Sequence, residues 1–317
     1  MSAIGHVAVA LQAGVVVVGA PLLAGLMRQV RARLEGRAGA GVLQPWRDIR
    51  KLLRRESIRP VGTGPAFRTA PALLVATTLV VGSLVPLLST DTPVAGRADL
   101  ILVVALLALG TVTLALAGLD TGTAFGGMGA SREMTIAALV EPTLLMAVFA
   151  LSTPAGTTNL PAIVADVVHD PSRLASPAGL LAAAALAVAV LAETGRLPLD
   201  NPSTHLELTM VHEAMVLEYA GRDLALVELG AQMRLTVLLG LLAALFAPWG
   251  IATTASAAGL ALALVALTAK VALFGALLAT AEVLWAKIRL FRVPELLAGS
   301  FLLALLAVAS SFFLSGA

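Results

Sequence analysis

The sequence predicts an all-α polytopic membrane protein of about eight transmembrane helices, and three observations lead there. Of its 317 residues 59% are hydrophobic and only 13% are charged, where a soluble domain carries about 25% charged residues. Apolar runs recur along the whole chain, each close to the roughly 20 residues that cross about 30 Å of hydrocarbon. Basic residues crowd into alternate loops. Together these exclude a soluble enzyme, and a net charge of +2 excludes a polybasic nucleic-acid binder.

The predicted spans are 4–27, 70–90, 99–119, 133–152, 177–194, 223–247, 257–281 and 295–314, in a single transmembrane domain covering 1–317. The first is read as a true span and not a secretory leader. No basic segment precedes it, its apolar run is too long, and the arginines follow it. The loop 28–68 holds Arg28, Arg31, Arg33, Arg37, Arg47, Arg50, Lys51, Arg54, Arg55, Arg59 and Arg68. Loops on the same side add Arg132, Arg196, Arg222, Lys287, Arg289 and Arg292, whereas the opposite loops hold only Arg97 and Arg173. Positive charge is retained on the cytoplasmic side. Both termini are therefore expected outside the cytoplasm of a cell (plasma, or bacterial inner) membrane, with the loops 28–68, 195–222 and 282–294 inside.

Within the first cytoplasmic loop, residues 44–56 read as a short amphipathic helix. Ile49, Leu52 and Leu53 mark one side and Arg47, Arg50, Lys51, Arg54 and Arg55 the rest. Such a helix suits anionic headgroups of membrane lipid, and equally a docking surface for a peripheral partner.

The loop 193–223 is too long for a connector and carries Glu193, Asp200, Glu207, Glu213, Glu218 and Asp223 with His205 and His212. Pro198 and Pro202 bar a helix at its start. Thr204 with Glu207 forms a capping-box pattern that predicts a helix over about 204–219. Glu207 and Glu218 would then share a face, as would the two histidines. Leu206, Leu208, Met210, Val211, Met215, Val216 and Leu217 make this segment too apolar for solvent, so the acids are expected to line an internal cavity. Two histidines without a third ligand do not make a metal site.

Inside the spans lie Glu141, Glu228, Arg234 and Lys270, with Asp120, Glu193 and Glu282 at span ends. A charge at mid-bilayer costs about 2.5–3.5 kcal/mol on insertion scales. These residues either pair to lock helices together or form a conduit for ions, and the acids outnumber the bases available to them. No cysteine is present, which removes disulfides and Cys-held zinc, iron–sulfur or nickel centres. No cofactor is expected in the chain itself.

Three motifs carry a resemblance. Ala192–Pro202 reads AETGRLPLDNP and is followed by Glu218–Tyr219–Ala220–Gly221. Gly41–Pro45 reads GVLQP, with Asp48, Lys51, Leu52 and Glu56 after it. Arg132 precedes Glu141–Pro142. These resemble the complex I subunit 1 family, and more closely its relatives in group 4 NiFe hydrogenases and formate hydrogenlyases, over essentially the whole chain. The resemblance implies a membrane subunit that anchors a hydrophilic redox arm and links it, through an acid-rich interior, to antiporter-like membrane subunits. Glu141, Glu193, Glu207, Glu213 and Glu218 would form the acidic path, with Asp200, Asp223, Glu228 and Lys270 as further members. Arg132, Arg196 and Arg234 would tune its charge, and Arg37, Gln44, Asp48, Arg50, Lys51 and Arg54 would face the peripheral large and small subunits. Iron–sulfur clusters, and in the hydrogenase branch a NiFe centre, would reside in those partners.

Two regions depart from the respiratory pattern. Arg37–Gly41 reads RAGAG where respiratory members carry P-N-R-x-G-P, and the stretch between Asp200 and Glu218 is about one helical turn longer. Both regions shape the quinone chamber of respiratory members, so the departures argue against quinone and for the hydrogenase branch. The alternatives are a quinone-site subunit of an NADH or ferredoxin dehydrogenase, and a stand-alone ion transporter. The latter lacks internal repeats and leaves the basic loop without a purpose.

Overall fold

The computed structural model describes residues 3–200, 210–254 and 256–315, and among these it holds eleven α-helices and no strand beyond two isolated bridges. They are α1 (Ala3–Leu34), α2 (Gln44–Leu53), α3 (Pro65–Leu84), α4 (Leu100–Asp120), α5 (Ala124–Ala155), α6 (Leu160–His169), α7 (Pro177–Glu193), α8 (His212–Val216), α9 (Gly221–Phe246), α10 (Ala257–Leu284) and α11 (Val293–Ser315). Seven of them, α1, α3, α4, α5, α9, α10 and α11, are long and apolar enough to cross a membrane. The eighth expected span is α7, whose 17 residues sit at the short limit of a crossing.

Several boundaries move for local reasons. The second span is expected to run to residue 90, but α3 stops at Leu84 and Val85 turns extended (ψ 131°). Pro86 follows, and a residue before proline is pushed out of the α region. At the other extreme α5 reaches 32 residues, starting nine before the expected span, because Thr123 caps it by accepting from Gly126 N.

α9 is the central helix, with 78% of its apolar window buried. It packs against α1, α3, α7 and α10, while α5 fills the space between α4, α7 and α11. The loops sort into two ends. At one, Phe67 N donates to Asp120, Ile288 N donates to the Pro198 carbonyl, and Arg31 pairs with Glu282. At the other, the segment after α3 exchanges hydrogen bonds with the α9–α10 loop, and Ala98 and Leu100 bond the segment before α6. The grouping follows the alternation of basic loops, so the first is called the basic end.

The expected helix over 204–219 is not continuous. Residues 201–209, which include His205 and Glu207, lie outside the described residues, and beyond them only His212–Val216 is helical. Tertiary packing decides this. Gly118 of α4 and Gly129 of α5 form a notch in which a Cβ at Gly129 would lie 2.8 Å from Ala214 Cβ. Met215 and Ala214 drop into the notch and are buried. Tyr219 then stacks on Phe67 at 4.1 Å and donates to its carbonyl at 2.9 Å.

Candidate functional site: an acid-lined cavity at the basic end

α7 ends in a sharp turn that the sequence Glu193–Thr194–Gly195–Arg196 dictates. Gly195 takes φ +58°, its N–H reaches the Ala192 carbonyl, and Arg196 N–H reaches Leu191. This double closure of the last carbonyls needs a left-handed residue, which glycine supplies without strain. The turn leaves Glu193 pointing into the bundle and swings Arg196 toward α10.

Behind it lies a cavity of about 500 Å³ among α1, α4, α5, α8, α9, α10 and this turn. Six acids line it, Glu133, Glu193, Asp200, Glu213, Glu228 and Glu282, together with Arg28, Arg31, Arg196, Arg234 and His212. Arg234, from mid-α9, pairs with Glu193 and also donates to the Leu107 carbonyl (3.0 Å) and Thr111 Oγ1 (2.6 Å). Arg31 and Arg196 grip Glu282 from two sides. Lys287 holds Asp200 at 2.8 Å. Burial, which disfavours an imidazolium, holds His212 below the ordinary histidine value, with Arg234 and Arg196 pushing the same way and Asp200 opposing.

Glu141, two helical turns deeper on α5 than Glu133, lies within electrostatic range of Glu193 and Arg234. Its Oε1 is buried without a partner among the described residues, as are Gln232 Oε1 and Arg234 Nε. Buried groups of this kind are ordinarily satisfied by internal water. The cavity and these atoms make a polar strip running from the basic end toward the membrane interior.

Of the residues expected on the acidic path, Glu193, Asp200, Glu213 and Glu228 meet at the cavity and Glu141 lies beside it. Others lie apart. Asp223 pairs with Arg59 at 2.9 Å near the surface, because α9 begins there and its first turn faces the first loop. Glu218 is outside the cavity lining. Lys270 is buried but faces the opposite loop, donating to the carbonyls of Ala247 (2.9 Å) and Trp249 (3.0 Å). Arg196 and Arg234 reach the acids; Arg132 turns away, donating to the Met210 carbonyl at 2.8 Å.

On the docking side Gln44 donates to Asp48 at 2.9 Å, Arg28 lies 3.6 Å from Asp48, and Arg37, Arg50, Lys51 and Arg54 are exposed. Ile49 is buried and Leu52 partly so, but Leu53 is 44% exposed. The buried side of α2 is therefore narrower than expected, because Leu53, the last helical residue, faces outward. Glu133, Glu282, Arg28, Arg31 and Gln232 belong to the site, and sequence reasoning alone does not assign them to it. The signal available for Glu133 and Glu282 is a carboxylate at the edge of an apolar run.

This combination defines a class: a multi-pass α-helical membrane subunit of the complex-I-like kind, with a charged cavity at its basic end. The chain belongs to the NADH dehydrogenase family, whose family model matches residues 7–313. It is 37% identical to formate hydrogenlyase subunit 4 of Escherichia coli over 300 residues, covering 95% of this chain and 96% of that one. It is 38% identical to hydrogenase-4 component C of the same organism, covering 96% and 95%. An NADH-quinone oxidoreductase subunit of Syntrophobacter fumaroxidans is 30% identical over 247 residues, 72% of each chain. The fold matches a chain in the structure of the membrane-bound sulfane sulfur reductase, an archaeal respiratory membrane complex. That match has a TM-score of 0.78 at 20% identity and covers 96% of this chain and 99% of that one.

Proposed function

We propose that this chain is the anchoring and energy-coupling membrane subunit of a hydrogenase or formate hydrogenlyase complex, linking electron transfer in its partners to proton or sodium movement. The carrying observation is the convergence of six acids and four arginines on one cavity beside the docking loop. Carboxylates held close to one another and to guanidinium groups exchange protons when a neighbouring charge changes, which suits a coupling element. The near-full-length likeness to two hydrogenase-type subunits supports that branch. The iron–sulfur clusters and NiFe centre are assigned to partner subunits, since the sequence has no cysteine to hold them. The acids and arginines that share this wall with Met27, Leu74, Leu114 and Leu235 argue against a quinone, because ligand pockets are mostly apolar with few polar groups. The exposed Arg37, Arg50, Lys51 and Arg54 would meet the peripheral subunits, and antiporter-like subunits would continue the path in the membrane.

Glu133→Gln in the assembled complex tests this reading. Glu133 has no ion-pair partner among the described residues, so the amide keeps the shape and removes only the titrating group. The complex should assemble and reduce artificial dyes normally, while ion pumping in sealed vesicles collapses; pumping at the wild-type rate would overturn the role. Orientation in the plasma membrane is proposed from the basic loops, with both termini outside. A cysteine at position 40 should resist an impermeant thiol reagent on intact cells, and one at 93 should react.

A further inference from the structure

A second, smaller cavity of about 120 Å³ lies between α5 and the start of α11, on the side of α5 away from the acids. Its polar wall is Ser131, Arg132 and Thr135; its apolar wall includes Leu139, Leu290 and Leu297. Arg132 has no carboxylate partner among the described residues. One of its nitrogens donates to the Met210 carbonyl and another lies 3.1 Å from the Met128 sulfur, a weak acceptor. A guanidinium has five N–H donors, so several are left to face the cavity.

The depth of this cavity matters. α5 is 32 residues long, about 48 Å at 1.5 Å per residue, and exceeds the hydrocarbon by several turns. Its apolar part begins at Met134, which puts Ser131 and Arg132 at headgroup level. The turn before α11 carries exposed Arg289 and Arg292 beside Phe291, which is 91% exposed, and Trp285 at 49%. Aromatic residues beside arginines mark a membrane–water boundary. Basic notches between transmembrane helices at that level suit anionic lipid headgroups.

We propose that this notch binds one anionic phospholipid from the leaflet at the basic end. Its phosphate would accept from the free N–H groups of Arg132 and from the Ser131 hydroxyl, while Thr135, whose own hydroxyl donates to the Ser131 carbonyl at 2.9 Å, forms the wall beside them. One acyl chain would run past Leu139 and Leu297. Arg289 and Arg292 add charge at the rim. The site is independent of the acid cavity and of the redox partner's identity.

The test uses the whole complex, stripped of lipid in detergent and incubated with phosphatidylglycerol, phosphatidylcholine or inorganic phosphate, then examined by native mass spectrometry. One phosphatidylglycerol per chain should survive activation that removes phosphatidylcholine, and excess phosphate should not displace it. Arg132→Gln should lower retention about tenfold, the scale of one lost hydrogen bond to a charged group. Because Arg132 also holds Met210, Thr135→Phe is the second variant: Thr135 is exposed, and the ring fills the notch without touching the core. It should expel the lipid equally. Equal retention of both lipids, retention unchanged in both variants, or displacement by phosphate alone would each overturn the proposal.

Discussion

Arg234 reaches from the middle of α9 to Glu193 at the end of α7, and the two side chains are only 9% and 4% exposed. The pair ties the central helix to the turn that shapes the cavity, and Thr111 and the Leu107 carbonyl complete the arginine's partners. Removing one member of such a pair strands the other and costs about 3–5 kcal/mol. Glu193→Gln and Arg234→Gln should each lower the thermal midpoint of the purified complex, and the double variant should be more stable than the sum predicts. Strictly additive losses would remove the pair from the account. Glu193 is therefore a poor probe of ion transfer by itself, since its loss mixes folding with function.

Glu282 should be the most sensitive carboxylate for assembly. Its side chain is 1% exposed between Arg31 and Arg196, and it joins α1, α10 and the turn after α7. Glu282→Gln leaves two cations facing each other with one neutral amide. We expect about 3–5 kcal/mol of destabilisation and little complex in the membrane. Asp200→Asn, whose partner Lys287 is 20% exposed, should cost less. Membrane-fraction yield and melting temperature read both.

His212 predicts a dependence on pH. Burial holds its folded-state value below the ordinary 6.5, so below that pH the unfolded imidazole takes up a proton that the folded one refuses. Stability from the neutral form is complete above pH 6.5 and is lost as pH falls from there to the depressed folded value. His212→Gln should flatten melting temperature against pH in that window. A variant with the wild-type slope would show that other groups set it.

Lys270 belongs to the opposite end. Lys270→Met should loosen the α9–α10 loop by leaving the Ala247 and Trp249 carbonyls unpaired, at about 1–3 kcal/mol. Vesicle pumping per assembled complex should be unchanged. A pumping defect in stably assembled complex would return Lys270 to the path.

The sequence by itself determined the membrane class, the alternation of loops and most of the spans, because burial in lipid imposes composition and length on every crossing. It also determined the turn after Glu193, since Gly195 closes a helix end by a local rule. Its acids at 193, 200, 213 and 228 do converge. Only the tertiary structure decided which charges meet. Glu133 and Glu282 look in sequence like ordinary span edges, yet they complete the cavity wall. Lys270 looks like a member of the path and Arg132 like a residue that tunes its charge, yet both face other surfaces. α8 is a five-residue turn of helix because Gly118 and Gly129, far away in the chain, open the notch that Ala214 and Met215 fill. Helix rotation decides such outcomes, and in a membrane it is set by side-chain packing between helices; with apolar residues all around each helix, the chain carries no periodicity that reveals the facing side.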